Sequence, residues 1–136
     1  MLTKITEKYA IDITKIFFLE IEETNLCLEF DNGVEDIIYY DTKEEAIKIF
    51  NIIVNNATIF KKVTEKQAIN INKIITIELK RKALYILFKG CEGKTISIYY
   101  DTDEEAIKTF NKITHINIQY KYTTNVGYEL KYPYID

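Results

Sequence analysis

The sequence predicts an α+β protein built by tandem duplication of a βββα unit, an antiparallel meander followed by a helix, with a C-terminal β-hairpin. Three observations lead there. The stretch "YYDTKEEAIKIF", Tyr39 to Phe50, returns as "YYDTDEEAIKTF", Tyr99 to Phe110. Ile5 to Phe30 aligns without gaps on Val63 to Phe88, with 11 identities in 26 at a shift of 58 residues. From Ile38 to Ile53 the shift becomes 60 and 13 of 16 residues match, so the second copy carries two extra residues in "KGCEGK". Insertions are tolerated in turns, which supports the alignment. Two copies are fewer than a solenoid needs. The expectation is therefore one domain over residues 1–136, with repeats at 5–54 and 63–114 related by pseudo-two-fold symmetry and a Tyr-rich hairpin at 115–136.

Within each unit a hydrophobic period of 2 gives way to one of 3.6, the pattern of strands followed by a helix. Phe17, Leu19 and Ile21, then Leu26, Leu28 and Phe30, alternate with Phe18, Glu20, Glu22, Cys27 and Glu29. This predicts a hairpin with one apolar face. The second copy repeats it with Ile75, Ile77 and Leu79, then Leu84, Ile86 and Phe88. A third strand ends in Ile38-Tyr39-Tyr40 or Ile98-Tyr99-Tyr100, and "DNG" at Asp31 to Gly33 marks the turn before it in the first copy.

The repeated dodecapeptide is the joint between third strand and helix. Thr42 followed by Glu45, and Thr102 by Glu105, predict capping boxes in which the hydroxyl accepts from the N–H of the Glu and the carboxylate reaches back to that of the Thr. Acidic residues at this end suit the helix dipole. Ala46, Ile47, Phe50, Ile53 and Val54 then fall on one helical face, as do Ala106, Ile107, Phe110 and Ile113. Helix initiation and packing account for the whole motif, so it reads as scaffold.

Composition limits the chemistry. A chain of 136 residues with 47% hydrophobic and 29% charged residues can bury roughly two thirds of its unfolded surface without help from a metal or disulfide. No basic segment leads into an apolar one and no run of apolar residues reaches membrane-spanning length, so neither signal peptide nor membrane span is expected, and a cytoplasmic location is. Cys27 and Cys91 occupy non-equivalent repeat positions, and no disulfide between them is expected. "DTDEE" at Asp101 opens like a calcium loop but has Ala106 where that loop needs Gly and Lys112 where it needs Glu. His115 is the only histidine, no Cys-x-x-Cys occurs, and no Gly-rich phosphate loop follows a strand. No catalytic residue, metal or cofactor is therefore assigned.

Composition changes in the tail. Ile116, Ile118, Tyr120 and Tyr122 alternate before "TTNVG", and Tyr128, Leu130, Tyr132 and Tyr134 alternate after it. A mostly tyrosine face suits a contact surface and equally a strand that closes a sheet edge. Tyr120, Tyr122, Tyr128, Tyr132 and Tyr134 are a candidate aromatic contact surface. The second faces of the strands, with Phe18, Cys27, Ile37 and Tyr39 in one copy and Tyr85, Leu87 and Tyr99 in the other, are too apolar to be left wholly in water.

Charge is the most informative feature. Residues 1–60 carry five Lys against twelve Asp and Glu, a net of −7, whereas residues 61–136 carry thirteen basic and nine acidic residues, a net of +4. The reversal is sharpest where Glu22-Glu23-Thr24 becomes Lys80-Arg81-Lys82. The first functional expectation is a non-catalytic protein-binding module docking through Glu20, Glu22 and Glu23, of the kind phages make as small anti-CRISPR-like inhibitors of host defence. The alternative is a nucleic-acid-binding protein using Lys80, Arg81, Lys82, Lys89 and Lys94 with neighbouring tyrosines. A homo-oligomer joined through the opposite-sign repeats and a small-ligand sequestering protein are the remaining readings.

Overall fold

The computed structural model describes residues 2–90, 94–114, 116–123 and 127–135, the last two segments as backbone. It is α+β, with mostly antiparallel sheets and two helices. The strands are β1 (Thr3–Thr6), β2 (Tyr9–Ile11), β3 (Ile16–Glu22), β4 (Asn25–Phe30) and β5 (Glu35–Tyr39), followed by helix α1 (Lys43–Asn56). The same succession returns as β6 (Phe60–Thr64), β7 (Gln67–Asn70), β8 (Ile74–Lys80), β9 (Ala83–Phe88), β10 (Thr95–Tyr99) and α2 (Asp103–Thr114). Strands β11 (Ile116–Thr123) and β12 (Gly127–Ile135) complete the described chain. A single 3-10 turn precedes β3 and another precedes β8. The chain forms two compact units, residues 1–75 with 88–94 and residues 76–87 with 95–136.

Each repeat therefore opens with a short hairpin that the βββα reading lacks. Glu-Lys, the link from β1 to β2 and from β6 to β7, contains none of the Gly, Asn or Pro that announce a turn, and the strands it joins are too short to show a period. The additional hairpin matters for topology. The sheet of the first unit has the order β5-β4-β3-β7-β6, so the hairpin of the second repeat adds to the meander of the first. Antiparallel pairing of β3 with β7 sets Phe18 opposite Ile69, Leu19 opposite Ala68 and Glu20 opposite Gln67. Strands β1 and β2 pair with each other, β8 to β10 form a three-stranded sheet in the order β10-β9-β8, and β11 pairs with β12.

The core of the first unit lies between its sheet and α1. Leu19, Ile21, Leu26, Leu28 and Ile38 meet Ala46, Phe50 and Ile53 of the helix, with Ile5, Ile11, Phe60 and Ala68 from the two hairpins closing the sides. Two expectations need correction. A β-bulge between Ile16 and Phe18 inserts an extra residue opposite β4, so Ile16 rather than Phe17 joins Leu19 and Ile21 in this core. Phe17 instead stacks on Phe88 with ring centroids 4.8 Å apart. On α1 the buried stripe is Ala46, Phe50 and Ile53, and Ile47 stands exposed at its edge.

Corresponding backbone hydrogen bonds recur in both repeats. Tyr40 N–H donates to Thr24 C=O at 3.2 Å and Tyr100 N–H to Lys82 C=O at 2.7 Å; Asp31 N–H donates to Lys15 C=O at 2.8 Å and Lys89 N–H to Lys73 C=O at 2.9 Å. Both predicted caps form their hydroxyl bond, with Glu45 N–H donating to Thr42 Oγ1 at 3.2 Å and Glu105 N–H to Thr102 Oγ1 at 3.1 Å. Asn70 is the buried polar residue of the β3–β7 seam. Its amide donates to Ile16 C=O at 2.9 Å while its oxygen accepts from Asn72 N–H at 2.9 Å.

Losing either cap should cost about 1 kcal/mol, because the N–H at the third helical position is left without its acceptor. Urea unfolding of Thr42→Ala and Thr102→Ala measures this, and midpoints equal to the wild type would refute the capping role. Glycine substitutions should differ in a second measurement of the same kind. Gly33 and Gly90 both have positive φ, +85° and +90°, yet a Cβ on Gly33 meets nothing within 4 Å while one on Gly90 falls 2.9 Å from Asp31 O. Gly33→Ala should cost the left-handed backbone alone, about 1–2 kcal/mol, and Gly90→Ala distinctly more.

Candidate functional site

Divergence between the repeats is concentrated at two equivalent hairpin turns. In β3–β4 the two turn residues are Glu23 and Thr24, and in β8–β9 they are Arg81 and Lys82. The leading residue of each is left-handed, Glu23 at φ 56° and Arg81 at φ 54°. A non-Gly side chain there is held by the tight turn and stands out from the sheet end into solvent. The backbone at this point is the same, and only the charge it displays differs.

The second unit displays a basic and aromatic end. Lys80, Arg81 and Lys82 are all exposed. Lys80 Nζ pairs with Glu78 Oε1 at 2.9 Å and lies 6.0 Å from the ring centroid of Tyr85. The Glu78 carboxylate, accepting a hydrogen bond and attracting the charge, holds the Lys80 ammonium above the usual lysine range. Tyr85 and Tyr99 meet edge to face, centroids 6.4 Å apart, and Tyr99 is 69% exposed. Their meeting follows from register. Tyr85 sits opposite Ser97 and Tyr99 opposite Ala83, so the two rings are diagonal neighbours on one face. The Tyr85 hydroxyl is raised above its ordinary value, chiefly by its hydrogen bond with Tyr99. The linear pattern places these tyrosines on the second face of the strands and sets neighbouring tyrosines beside the basic run; the structure adds that Tyr85 and Tyr99 meet each other there.

Of the other basic candidates, Lys89 and Lys94 belong to the first unit. Lys89 is exposed. Lys94 forms an ion pair with Glu29, and its ammonium lies 5.8 Å from the Phe17 ring centroid, so its charge is engaged within the fold. Lys73 and Asp31, 3.0 Å apart and both largely covered, form a second such pair. The side chains of Tyr120, Tyr122, Tyr128, Tyr132 and Tyr134, together with His115 and Cys91, lie outside the described residues.

The acidic end of the first unit is less uniform than its sequence. Glu22 and Glu23 are exposed, but Glu20 is half-buried and accepts from Gln67 Nε2 at 2.7 Å across the β3–β7 seam. Burial is the main reason the Glu20 carboxyl sits above its usual range. Glu20 is therefore part of the seam, unlike its two neighbours. Cys27, at the position of Tyr85 in the other repeat, is a free thiol whose Sγ lies 3.8 Å from Glu22 Oε2. Burial first, and then the negative field of Glu22, Glu20 and Glu35, push it up to about 11.

Among the described residues, no group of three or more His, Cys, Asp and Glu could hold a metal ion, and no helix is long and apolar enough to cross a membrane. An open hollow of about 490 Å³ in the first unit is lined by Tyr9, Asp12, Lys15 and Asp31 among others. Its polar groups already serve the fold: Tyr9 donates to Asp36, Asp12 accepts from Thr14 N–H at 3.0 Å, and Asp31 pairs with Lys73. In a Cys91→Ser variant the alkylation rate of Cys27 should keep rising about tenfold per pH unit up to pH about 11. A plateau near pH 9, the ordinary thiol range, would show that neither burial nor the neighbouring carboxylates raise it.

No family model matches the chain, and no curated protein matches its sequence. Solved structures do include similar folds. The LytTr DNA-binding domain of a putative methyl-accepting/DNA response regulator from Bacillus cereus superposes with a TM-score of 0.55 at 14% sequence identity, over 84% of this chain and 94% of that one. At that identity the likeness is one of fold, and the chain has a LytTr-like α+β architecture.

Proposed function

We propose that this chain binds nucleic acid, duplex DNA first among its forms, through the turn between β8 and β9. The observation that carries the reading is the exposed run Lys80, Arg81 and Lys82 beside Tyr85 and Tyr99, on a fold it has in common with a domain named for DNA binding. Cationic side chains on a rigid hairpin end neutralise phosphates and release counterions, and exposed tyrosine edges add contact area at small entropic cost. The excess of acid elsewhere in the chain does not oppose this, since phosphates within a Debye length of about 10 Å at 0.1 M salt respond to the local patch. No catalytic role is proposed, and the tandem duplication is carried along as the origin of the two differently charged ends.

Protein docking through Glu22 and Glu23 is the second reading, favoured by their exposure at the equivalent turn. The inhibitor role belongs to this second reading and has no support beyond it.

Anisotropy of a labelled duplex oligonucleotide across a salt series separates the two. Reversing Lys80, Arg81 and Lys82 to Glu should weaken binding more than about tenfold and flatten the salt dependence by about 0.9 in slope for each phosphate no longer neutralised. Reversing Glu22 and Glu23 to Lys should leave affinity intact or strengthen it. Arg81→Asn should lower affinity while keeping the turn's backbone, because Asn tolerates the left-handed conformation. Absence of binding by the wild type at 50 mM salt, or indifference to the triple reversal, would overturn the reading in favour of a protein partner.

A further inference from the structure

The β3–β7 seam of the first unit has two sides, and each side recurs in the chain without its complement. One side is β3 with α1, where Leu19, Ile21 and Phe50 are fully or almost fully buried. The other is the hairpin β6–β7, which sends Phe60 and Ala68 into the same core. Shifts of 58 and 60 residues give the equivalents in the other repeat. Those of the first side, Ile77, Leu79 and Phe110, are only half-buried, and β8 pairs with β9 and with no other strand among the described residues. Those of the second side are Leu2, 68% exposed, and Ala10, also exposed, and β1 and β2 pair only with each other among the described residues.

The contacts that hold the hairpin β1–β2 leave this outer side open. Ile5 and Ile11 enter the core of the first unit, the Tyr40 hydroxyl donates to Ile5 C=O at 3.0 Å, and the Tyr9 hydroxyl donates to Asp36. None of these engages the edge of β2 that corresponds to the β3-facing edge of β7. An unpaired strand edge beside half-covered apolar side chains is a template for another strand.

We propose that β2 of one copy of this chain pairs antiparallel with β8 of a second copy, repeating between molecules the seam that β7 and β3 form within one. The β3–β7 register, shifted by 58, sets Ile11 opposite Thr76, Ala10 opposite Ile77 and Tyr9 opposite Glu78. Ala10 then fills the position at which Ala68 lies opposite Leu19. Ile21 N–H donates to Lys66 C=O at 2.9 Å, and its equivalent is Leu79 N–H donating to Lys8 C=O of the other copy. Every copy carries both faces and the faces differ, so the contact is heterologous and either closes into a ring or extends. One position of the seam is unmatched. Asn70 accepts from Asn72 N–H and donates to Ile16 C=O, whereas Asp12 accepts from Thr14 N–H in the same way but has no amide to offer the C=O of Ile74. An acceptor set against an acceptor weakens the seam, so association depends on concentration. The pairing does not rest on the nucleic-acid reading.

Sedimentation velocity of the untagged full chain, from micromolar to millimolar concentration, tests it. Wild type should gain mass as concentration rises. Ala10→Arg, which sets a long charged side chain opposite Ile77 and alters a residue exposed in the single chain, should remain monomeric. Leu79→Pro, which removes the edge N–H and is tolerated where that N–H faces solvent, should do the same. Mixed, the two variants should form a one-to-one pair, because the first keeps its β8 edge and the second its hairpin. Asp12→Asn restores the missing donor and should tighten self-association about tenfold. Ala10→Arg and Asp12→Asn decide the matter by themselves should Leu79→Pro fail to fold. Wild type and Asp12→Asn that stay monomeric throughout overturn the proposal, since β8 is then closed in another way. Self-association that survives Ala10→Arg overturns it in favour of a different face, and self-association lost in molar salt overturns it in favour of the oppositely charged turns.

Discussion

The first unit depends on β3 having a hydrogen-bonded neighbour along both edges. Backbone amides and carbonyls removed from water must be paired, and a strand buried as deeply as Ile16 to Leu19 leaves no room for water to satisfy them. The β4 edge is supplied by the local meander, but the other comes from β7, about fifty residues further along the chain. Once β7 is in place, Ala68 opposite Leu19 provides the small side chain that lets the strands lie close, and Asn70 answers the carbonyl of Ile16 that the bulge has turned aside. The same seam accounts for Glu20, whose carboxylate is held by Gln67 rather than by solvent.

The two stretches of similar sequence share their local backbone and differ at solvent-facing positions. The hydrogen bonds that close each meander recur at equivalent residues, as do the helix caps and the left-handed residue at each turn. A glutamate and an arginine can exchange there because both side chains stand exposed at the turn. By contrast, Cys27 and Tyr85 occupy equivalent positions on a partly covered face, and their surroundings differ: a thiol suppressed by burial and then by carboxylates in one unit, a ring beside a lysine in the other. The two ends thus present opposite fields on one design, which makes each a natural control for the other.

Much of this was legible in the sequence, and for identifiable reasons. Period-2 and period-3.6 patterns located the meanders and helices, since a half-buried element has to repeat its apolar residues at its own geometric period. Thr42 and Thr102 announced the helix starts because the orphan amides of a helix end need a nearby oxygen. The charge reversal at Glu22-Glu23 and Lys80-Arg81 was equally plain, since exposed side chains carry their meaning in their own chemistry.

Tertiary structure alone decided what depends on residues far apart in the chain. Strands of three to five residues joined by Glu-Lys have no period and no turn signature, so the leading hairpins became strands only through the partner they found, β3 for the second of them. The bulge that put Ile16 rather than Phe17 in the core, the retirement of Lys94 into an ion pair with Glu29, and the withdrawal of Glu20 into the seam all follow from pairing register, which a linear pattern does not encode. The sequence by itself determined the elements and the charges they carry, because these are set by local geometry and by side-chain chemistry. Which charges stay in solvent, and which strand edges are closed, was decided by non-local backbone pairing, because a hydrogen bond between strands specifies position without demanding any particular side chain.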